Sequence, residues 1–238
     1  MTTPRLLLLE ASSAHRAAPG RAGAAAVWLV DAVRQGPVAF RLAPDVLDAE
    51  EKERAAAFRR EQDRRCYVAA HVALRVVLGE HLGTEPGGIP LVREPCAGCG
   101  GPHGRPVIAD VPVHFSLSHS GDLALLAVAA VPVGVDVEAV PSPVVVREVG
   151  ERLHPRERAE LARLPEERRP EAFARVWARK EAYLKGLGVG LVRGIGLDYV
   201  GTDASAVNPR PGWSVGDVEV PEGFAGAVAV ASSEYAGL

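Results

Sequence analysis

The chain has 238 residues, 47% of them hydrophobic, 24% charged and only 5% aromatic, with a formal net charge of −3. That length buries one large core or two smaller ones, and the composition excludes a disordered or fibrous chain and a protein that binds nucleic acid through bulk positive charge. No apolar run approaches the roughly 20 residues of a membrane helix, the early run Leu6–Leu9 stops at Glu10, and three cysteines cannot frame a disulfide scaffold, so a cytoplasmic protein is expected.

Along the first sixty residues short apolar runs alternate with Gly and Pro, and residues 24–30 read as a strand. A short helix is predicted from Asp48 to Phe58, capped by Asp45 or Asp48. Ala69, Val72, Ala73, Val76 and Val77 recur at helical spacing over 61–82, with Gly83 as the stop. Residues 83–112 read as a Gly- and Pro-rich loop, followed by strands at 113–117, 123–130 and 133–137. Pro141 and Pro143 mark a boundary between two halves. A charged helical region, 144–164, has Pro155 placed to begin a second helix, and a longer helix is expected over 167–187. The remainder, 195–231, reads as strands. Its run from Gly223 to Ser232 echoes that from Gly121 to Ala129, both Gly-led and rich in Ala and Val.

Of the 27 cationic residues only Lys52, Lys180 and Lys185 are lysines. In so Arg-rich a chain, two lysines five residues apart mark a site where a compact ammonium is wanted rather than a planar fork. They sit in Trp177-Ala178-Arg179-Lys180-Glu181-Ala182-Tyr183-Leu184-Lys185. Trp177, Glu181 and Lys185 form one helical stripe, and an unpaired ammonium at Lys180, beside the apolar stripe, would be costly. An ordinary surface Glu–Lys pair with a core Trp is the plainer reading, and both the retained lysines and the placement of Lys180 weigh against it.

Asp136 and Glu138, at i and i+2 of an apolar strand, point to one face. Two such carboxylates repel unless a cation intervenes, and Mg²⁺ suits hard oxygen ligands of this kind; two solvated acids at a strand end is the plainer alternative. Phe115-Ser116-Leu117-Ser118-His119-Ser120-Gly121 offers hydroxyls, an imidazole and turn amides to an anion. It is not a hydrolase triad, because adjacent side chains diverge and no Gly-x-Ser-x-Gly elbow is present. Arg54, Arg59, Arg60, Arg64, Arg65 and Arg75 on the early helices, with Gly104-Arg105-Pro106, complete the candidate segments.

Taken in order, Asp63-Arg64, Leu74-Arg75, Gly104-Arg105-Pro106, the Ser-His segment, Gly134-x-Asp136-x-Glu138, His154-Pro155-Arg156-Glu157 and Trp177-x-x-Lys180-Glu181-Ala182-x-x-Lys185 resemble the 4′-phosphopantetheinyl transferase family, in its larger Sfp-type branch, over residues 45–232. The resemblance implies an α+β monomer of two half-domains, 1–140 and 141–238, related by a pseudo-twofold with the active site at their interface. It implies a holo-acyl-carrier-protein synthase: Mg²⁺-dependent transfer of phosphopantetheine from coenzyme A to a serine of an apo acyl or peptidyl carrier protein, releasing 3′,5′-ADP, with a lean toward polyketide and nonribosomal peptide pathways. By matching position, Asp136, Glu138 and Glu157 would bind the metal. Glu181 would be the base, and Lys180 and Lys185 would hold phosphate oxygens. Ser118 and His119 would contact coenzyme A phosphates, and Arg54 and Arg105 would lie near the nucleotide. Where the family often has Arg, this chain has Cys66. Ser116 stands in place of the commoner Asn and is expected to matter little.

Cys96-x-x-Cys99-x-x-x-His103 supplies part of a zinc site, with Cys66 a conceivable fourth ligand. The sequence favours the alternative, a Gly-rich loop without metal. Competing functions are a coenzyme A- or carrier-binding protein without catalysis, disfavoured by the full set of acids and lysines, and a metal-dependent phosphohydrolase. A nucleic-acid binder ranks last, since the arginines are interleaved with acids.

Overall fold

A computed structural model describes residues 1–9, 25–102 and 104–235. After the short strand β1 (Arg5–Leu6), β2 (Ala26–Asp31) runs straight into α1 (Ala32–Val46), α2 (Ala49–Ala57) and α3 (Glu61–Leu82). A small hairpin follows, β3 (Leu91–Arg93) with β4 (Pro106–Ile108), and then β5 (His114–Ser120), β6 (Leu123–Ala129) and β7 (Val133–Ala139). Three helices, α4 (Pro143–Gly150), α5 (Pro155–Arg163) and α6 (Arg169–Leu187), precede the closing hairpin β8 (Trp213–Val218) and β9 (Phe224–Ala231). No helix among the described residues is long and apolar enough to cross a membrane.

Asp48 is the cap of α2, in a reciprocal capping box with Glu51, as the Asp-x-x-Glu spacing requires. Helix α3 ends at the left-handed Gly83 and α5 starts at Pro155, both as read. Helix α1 was not foreseen, because Pro37 and Pro44 lie inside it. Its start is held by Asp31, whose carboxylate accepts from the amides of Val33 and Arg34, and its buried face packs on α3. Tertiary packing thus overrides the lost backbone donors. The segment expected to be strands over 195–231 is irregular until Trp213.

The strands form two main sheets, β1-β2-β6-β5 and β7-β9-β8. Strand β7 pairs with β9, so the chain changes sheet at 130–132, ahead of Pro141. In the first sheet β6 lies between β2 and its hairpin partner β5, and in the second β9 lies between β7 and its hairpin partner β8. Strands β6 and β9 are the two whose sequences echo each other.

Strand β6 is buried at all seven positions. Ala124, Leu126 and Val128 enter the core formed with α1 and α3, whereas Leu123, Leu125, Ala127 and Ala129 enter the core under β7, β9 and α6. A strand covered on both faces loses the alternation of apolar and polar residues. The second tie lies at the sheet edges, where β5 and β7 run together. Ser116 Oγ accepts from the Val135 amide and Ser120 Oγ from the Ala139 amide, each at 3.1 Å, and Ser118 Oγ donates to Asp136 Oδ1 at 2.7 Å. Period-two alternation puts all three hydroxyls on one side of β5. Ser116, expected to matter little, is one of these three links.

Gly134 lets α6 close on β7: a methyl group there would fall on the Ala182 carbonyl oxygen and the Gly186 amide. The change Gly134→Ala is therefore expected to destabilise the fold by about 3 kcal/mol or more, read as a lowered midpoint in urea unfolding. A midpoint unchanged from the parent protein would show that α6 does not rest on this strand.

Candidate functional site

The seam between the sheets carries the charged cluster. Strand β7 delivers Asp136 and Glu138 to one face, and α6 delivers Glu181 and, one turn on, Lys185. The last turn of α6 is ended by Gly188 at φ 72°. Lys185 Nζ donates to Asp136 Oδ1 at 2.6 Å and to Ser118 Oγ at 2.8 Å. Asp136 is almost wholly buried, yet its second oxygen, Oδ2, has no partner among the described residues. A buried carboxylate oxygen without a donor is expensive, and this one lies in a crowd of like charge.

The crowding is visible in the proton affinities. Burial raises the Asp136 carboxyl, opposed by Lys185 and Ser118. Glu138 is pushed up to about 7, first by burial and then by Asp136, with Glu181 adding to the effect. Glu181 is raised by burial and by Asp136, against Lys185. Three carboxylates facing one ammonium leave an excess of negative charge that a cation would neutralise. Asp136 Oδ2, Glu138 and Glu181 fit a hard divalent ion by donor type, for Mg²⁺ takes few carboxylates and keeps water or phosphate oxygens in its shell. Among the described residues no three His, Cys, Asp or Glu side chains stand as a ready-made metal cage.

Glu157, expected among the metal ligands, is not part of this face. It is fully buried at the start of α5. One oxygen accepts from the Val200 amide at 2.9 Å, and the other from the His154 amide at 3.1 Å and from Lys180 at 2.8 Å. Lys180, expected at phosphate, is buried too and also donates to the Asp198 carbonyl. The ammonium that the apolar stripe could not tolerate alone is satisfied inside the protein. Next to it, Arg179 is fully buried, holding Asp217 through both oxygens and the Gly201 and Asp203 carbonyls. The two cations on α6 thereby fasten the irregular segment 198–204, a role the sequence reading missed.

Ser118 cannot donate to a phosphate, because its one proton goes to Asp136 while it accepts from Lys185. It positions the acid. His119 points from the same strand to solvent, its imidazole held below the ordinary value by partial burial and by the nearby His71 and Lys185. Arg105 is paired with Glu94 through two bonds, of 2.7 and 3.2 Å, and donates to the Gly186 carbonyl at 3.3 Å. It therefore braces the end of α6 just past Lys185. Arg54 is exposed, stacked over Phe58, on the wall of a 530 Å³ cavity shared with Tyr67, His71, Arg93 and Leu117. Arg75 is buried against Asp48 and Glu51 and holds α2 to α3. Cys66 Sγ donates to the Leu123 carbonyl from inside the core, so it is no partner for Cys96 and Cys99. His103, the third residue of that motif, lies outside the described residues.

A family model described as the 4′-phosphopantetheinyl transferase superfamily matches residues 132–210, the stretch from β7 through α6 and beyond. The chain is similar to the 4′-phosphopantetheinyl transferase HetI of Nostoc, 33% identical over 193 residues that cover 78% of each chain. It is also similar to a 4′-phosphopantetheinyl transferase of Bacillus subtilis, 27% identical over 61% of this chain and 62% of the relative. The 4′-phosphopantetheinyl transferase Sfp of Bacillus subtilis strain 168 is 25% identical over the same shares.

The raised Glu138 carboxyl sets a pH dependence. The unfolded chain loses that proton near 4.5 and the folded one near 7, so the metal-free protein is expected to lose stability as pH rises between those values. A divalent cation favours the ionised form, so stabilisation by Mg²⁺ should grow over the same window, and Glu138→Gln should flatten both trends. Calorimetric melting across that range, with Mg²⁺ and with chelator, measures it; a Mg²⁺ effect independent of pH would contradict the crowding.

Proposed function

The chain belongs to the 4′-phosphopantetheinyl transferase superfamily, and from that premise we propose that it transfers the phosphopantetheine arm of coenzyme A to a serine of an apo acyl or peptidyl carrier protein, with Mg²⁺ as the metal and 3′,5′-ADP as the leaving group. The observation that carries this reading is the orphaned Asp136 Oδ2 between Glu138 and Glu181, beside the Lys185 ammonium. Transfer of a phosphoryl group depends chiefly on positioning and on neutralising charge. We also read the repeated strand order as support for two pseudo-twofold half-domains, with the change at 130–132 and the site along their seam.

In this proposal Mg²⁺ would be held by Asp136 and Glu138, with Glu181 in the place expected of Glu157, and would supply a positive charge to the pyrophosphate of coenzyme A. Lys185 has three N–H donors, two of them committed to Asp136 and Ser118. The third is available to a phosphate oxygen, so Lys185 couples the position of the acid to that of the substrate. Glu181 takes the proton of the carrier serine, directly or through water. Without the metal, burial and Asp136 raise its proton affinity, the direction that suits a proton acceptor. His119 and Arg54 stand on the exposed side of β5 and α2, open to the nucleotide end. From Arg147 to Lys185 the chain carries 11 cationic and 8 acidic residues, a surplus that favours approach of an acidic carrier protein.

The test is the intact mass of an apo-carrier protein after incubation with coenzyme A and Mg²⁺. A gain of one phosphopantetheine arm is expected. Glu181→Gln should slow it by at least about 100-fold even at saturating Mg²⁺ and coenzyme A, and Asp136→Ala should raise the Mg²⁺ needed for half-maximal rate by more than about tenfold. Tight coenzyme A binding with no mass gain on acyl and peptidyl carriers alike would favour the non-catalytic binding protein instead.

A further inference from the structure

The 530 Å³ cavity beside Arg54 lies between α2, α3 and the β3–β4 hairpin, a volume in the range of small-ligand sites, about 300–1,000 Å³. Its wall is flat and aromatic: the Tyr67 and His71 rings stack with centroids 4.0 Å apart, and Phe58 backs Tyr67 at 5.2 Å. Leu74, Leu91 and Leu117 add apolar surface, so the space suits a planar heterocycle. His119 joins it to the seam, because its imidazole feels both His71 of the cavity and Lys185. A donor whose pyrophosphate meets Lys185 can therefore lay its nucleoside past His119 against the aromatic wall.

The charges around this space are unlike those of a phosphate site. Asp48, Glu50, Glu51 and Glu53 line it, against Arg54 and Arg93. Arg75, behind the wall, is committed to Glu51, Asp48 and the Ile89 carbonyl. Arg93 is exposed, leans toward Glu50 at 3.8 Å and donates to the Gly104 carbonyl at 3.3 Å. Arg105 is held by Glu94 and Arg65 by Asp122, and Cys66, where the family often has Arg, is in the core. Arg54 is exposed over Phe58, where water and salt screen its charge. A phosphate monoester carries close to two negative charges and is recognised by charge-assisted donors. The four acids of this wall oppose it.

We propose that the cavity holds the base and sugar of the donor without recognising its 3′-phosphate, so that 3′-dephospho-coenzyme A serves as a donor equal to coenzyme A. This specificity rests on the transferase reading above. The step is otherwise the same: the serine oxygen bonds to the phosphorus that carries the pantetheine, the pyrophosphate bridge breaks, and the serine proton passes to Glu181. The leaving group is then adenosine 5′-monophosphate in place of 3′,5′-ADP.

The experiment is calorimetric binding of adenosine 5′-monophosphate and of 3′,5′-ADP to the full chain with Mg²⁺. Affinities within about fivefold of each other are expected. Binding of 3′,5′-ADP tighter by more than about fivefold, or no binding of either, would overturn the proposal. Reversing two exposed charges on the cavity wall, Glu50→Arg with Glu53→Arg, should make 3′,5′-ADP bind at least about tenfold tighter than the monophosphate. A ratio unchanged from the parent protein would put the sugar elsewhere and overturn the proposal too. Turnover separates it from the transferase reading. The mass gain of an apo-carrier protein should proceed with kcat/KM values for the two donors within about fivefold. A stronger preference for coenzyme A would overturn the specificity and leave transfer standing. Equal nucleotide affinities with no mass gain from either donor would support the cavity and count against transfer.

Discussion

Everything at the seam depends on one ammonium group. Lys185, at the end of α6, donates to Asp136 on β7 and to Ser118 on β5, and so ties a helix and both sheets at one point. The geometry leaves Asp136 Oδ2 unpaired and buries Glu138 and Glu181 close enough to Asp136 that its charge adds to the rise in proton affinity that burial causes in both. Most buried polar atoms in a fold are paired. A buried carboxylate oxygen without a donor, in the company of two further acids, is an arrangement that a bound cation would relieve.

The surroundings of α6 hold that point steady. Helix α6 has a row of three consecutive charged residues with two destinations. Arg179 and Lys180 turn inward and are paired with Asp217, Glu157 and backbone carbonyls, whereas Glu181 faces the seam. Removing one member of such a buried pair leaves an uncompensated charge, at a cost of about 3–5 kcal/mol. The close approach of α6 to β7 at Gly134 and the brace from Arg105 to Gly186 fix the same helix from two further sides. Four separate constraints on one helix fit a site in which small displacements of a charge are costly to rate.

Much of this was legible in the sequence. The motifs Gly134-x-Asp136-x-Glu138 and Trp177–Lys185 lie on the strand and helix expected, and the two echoing Ala/Val runs became the central strands of the two sheets. What escaped was the direction in which similar residues point. Glu157 and Glu181 are both acids on helices in charged segments, and only the fold reveals that Glu157 is enclosed by Lys180 and two amides. Likewise, Lys180 and Lys185 look equivalent by composition, yet one is sealed inside and the other reaches the seam. The serines at 116, 118 and 120 carried a period-two signal, but a strand that pairs through hydroxyls rather than backbone has no sequence signature of its own. Helix α1 was hidden by two prolines that its packing on α3 overrides.

The central claim is that the metal face consists of Asp136, Glu138 and Glu181, with Glu157 reserved for Lys180. Anomalous scattering from crystals of the protein grown with coenzyme A and Mn²⁺ in place of Mg²⁺ tests it directly. The account predicts one strong peak in contact with Asp136 Oδ2 and the carboxylates of Glu138 and Glu181, while the Glu157–Lys180 pair stays intact. A peak coordinated by Glu157, with Lys180 displaced, would contradict it.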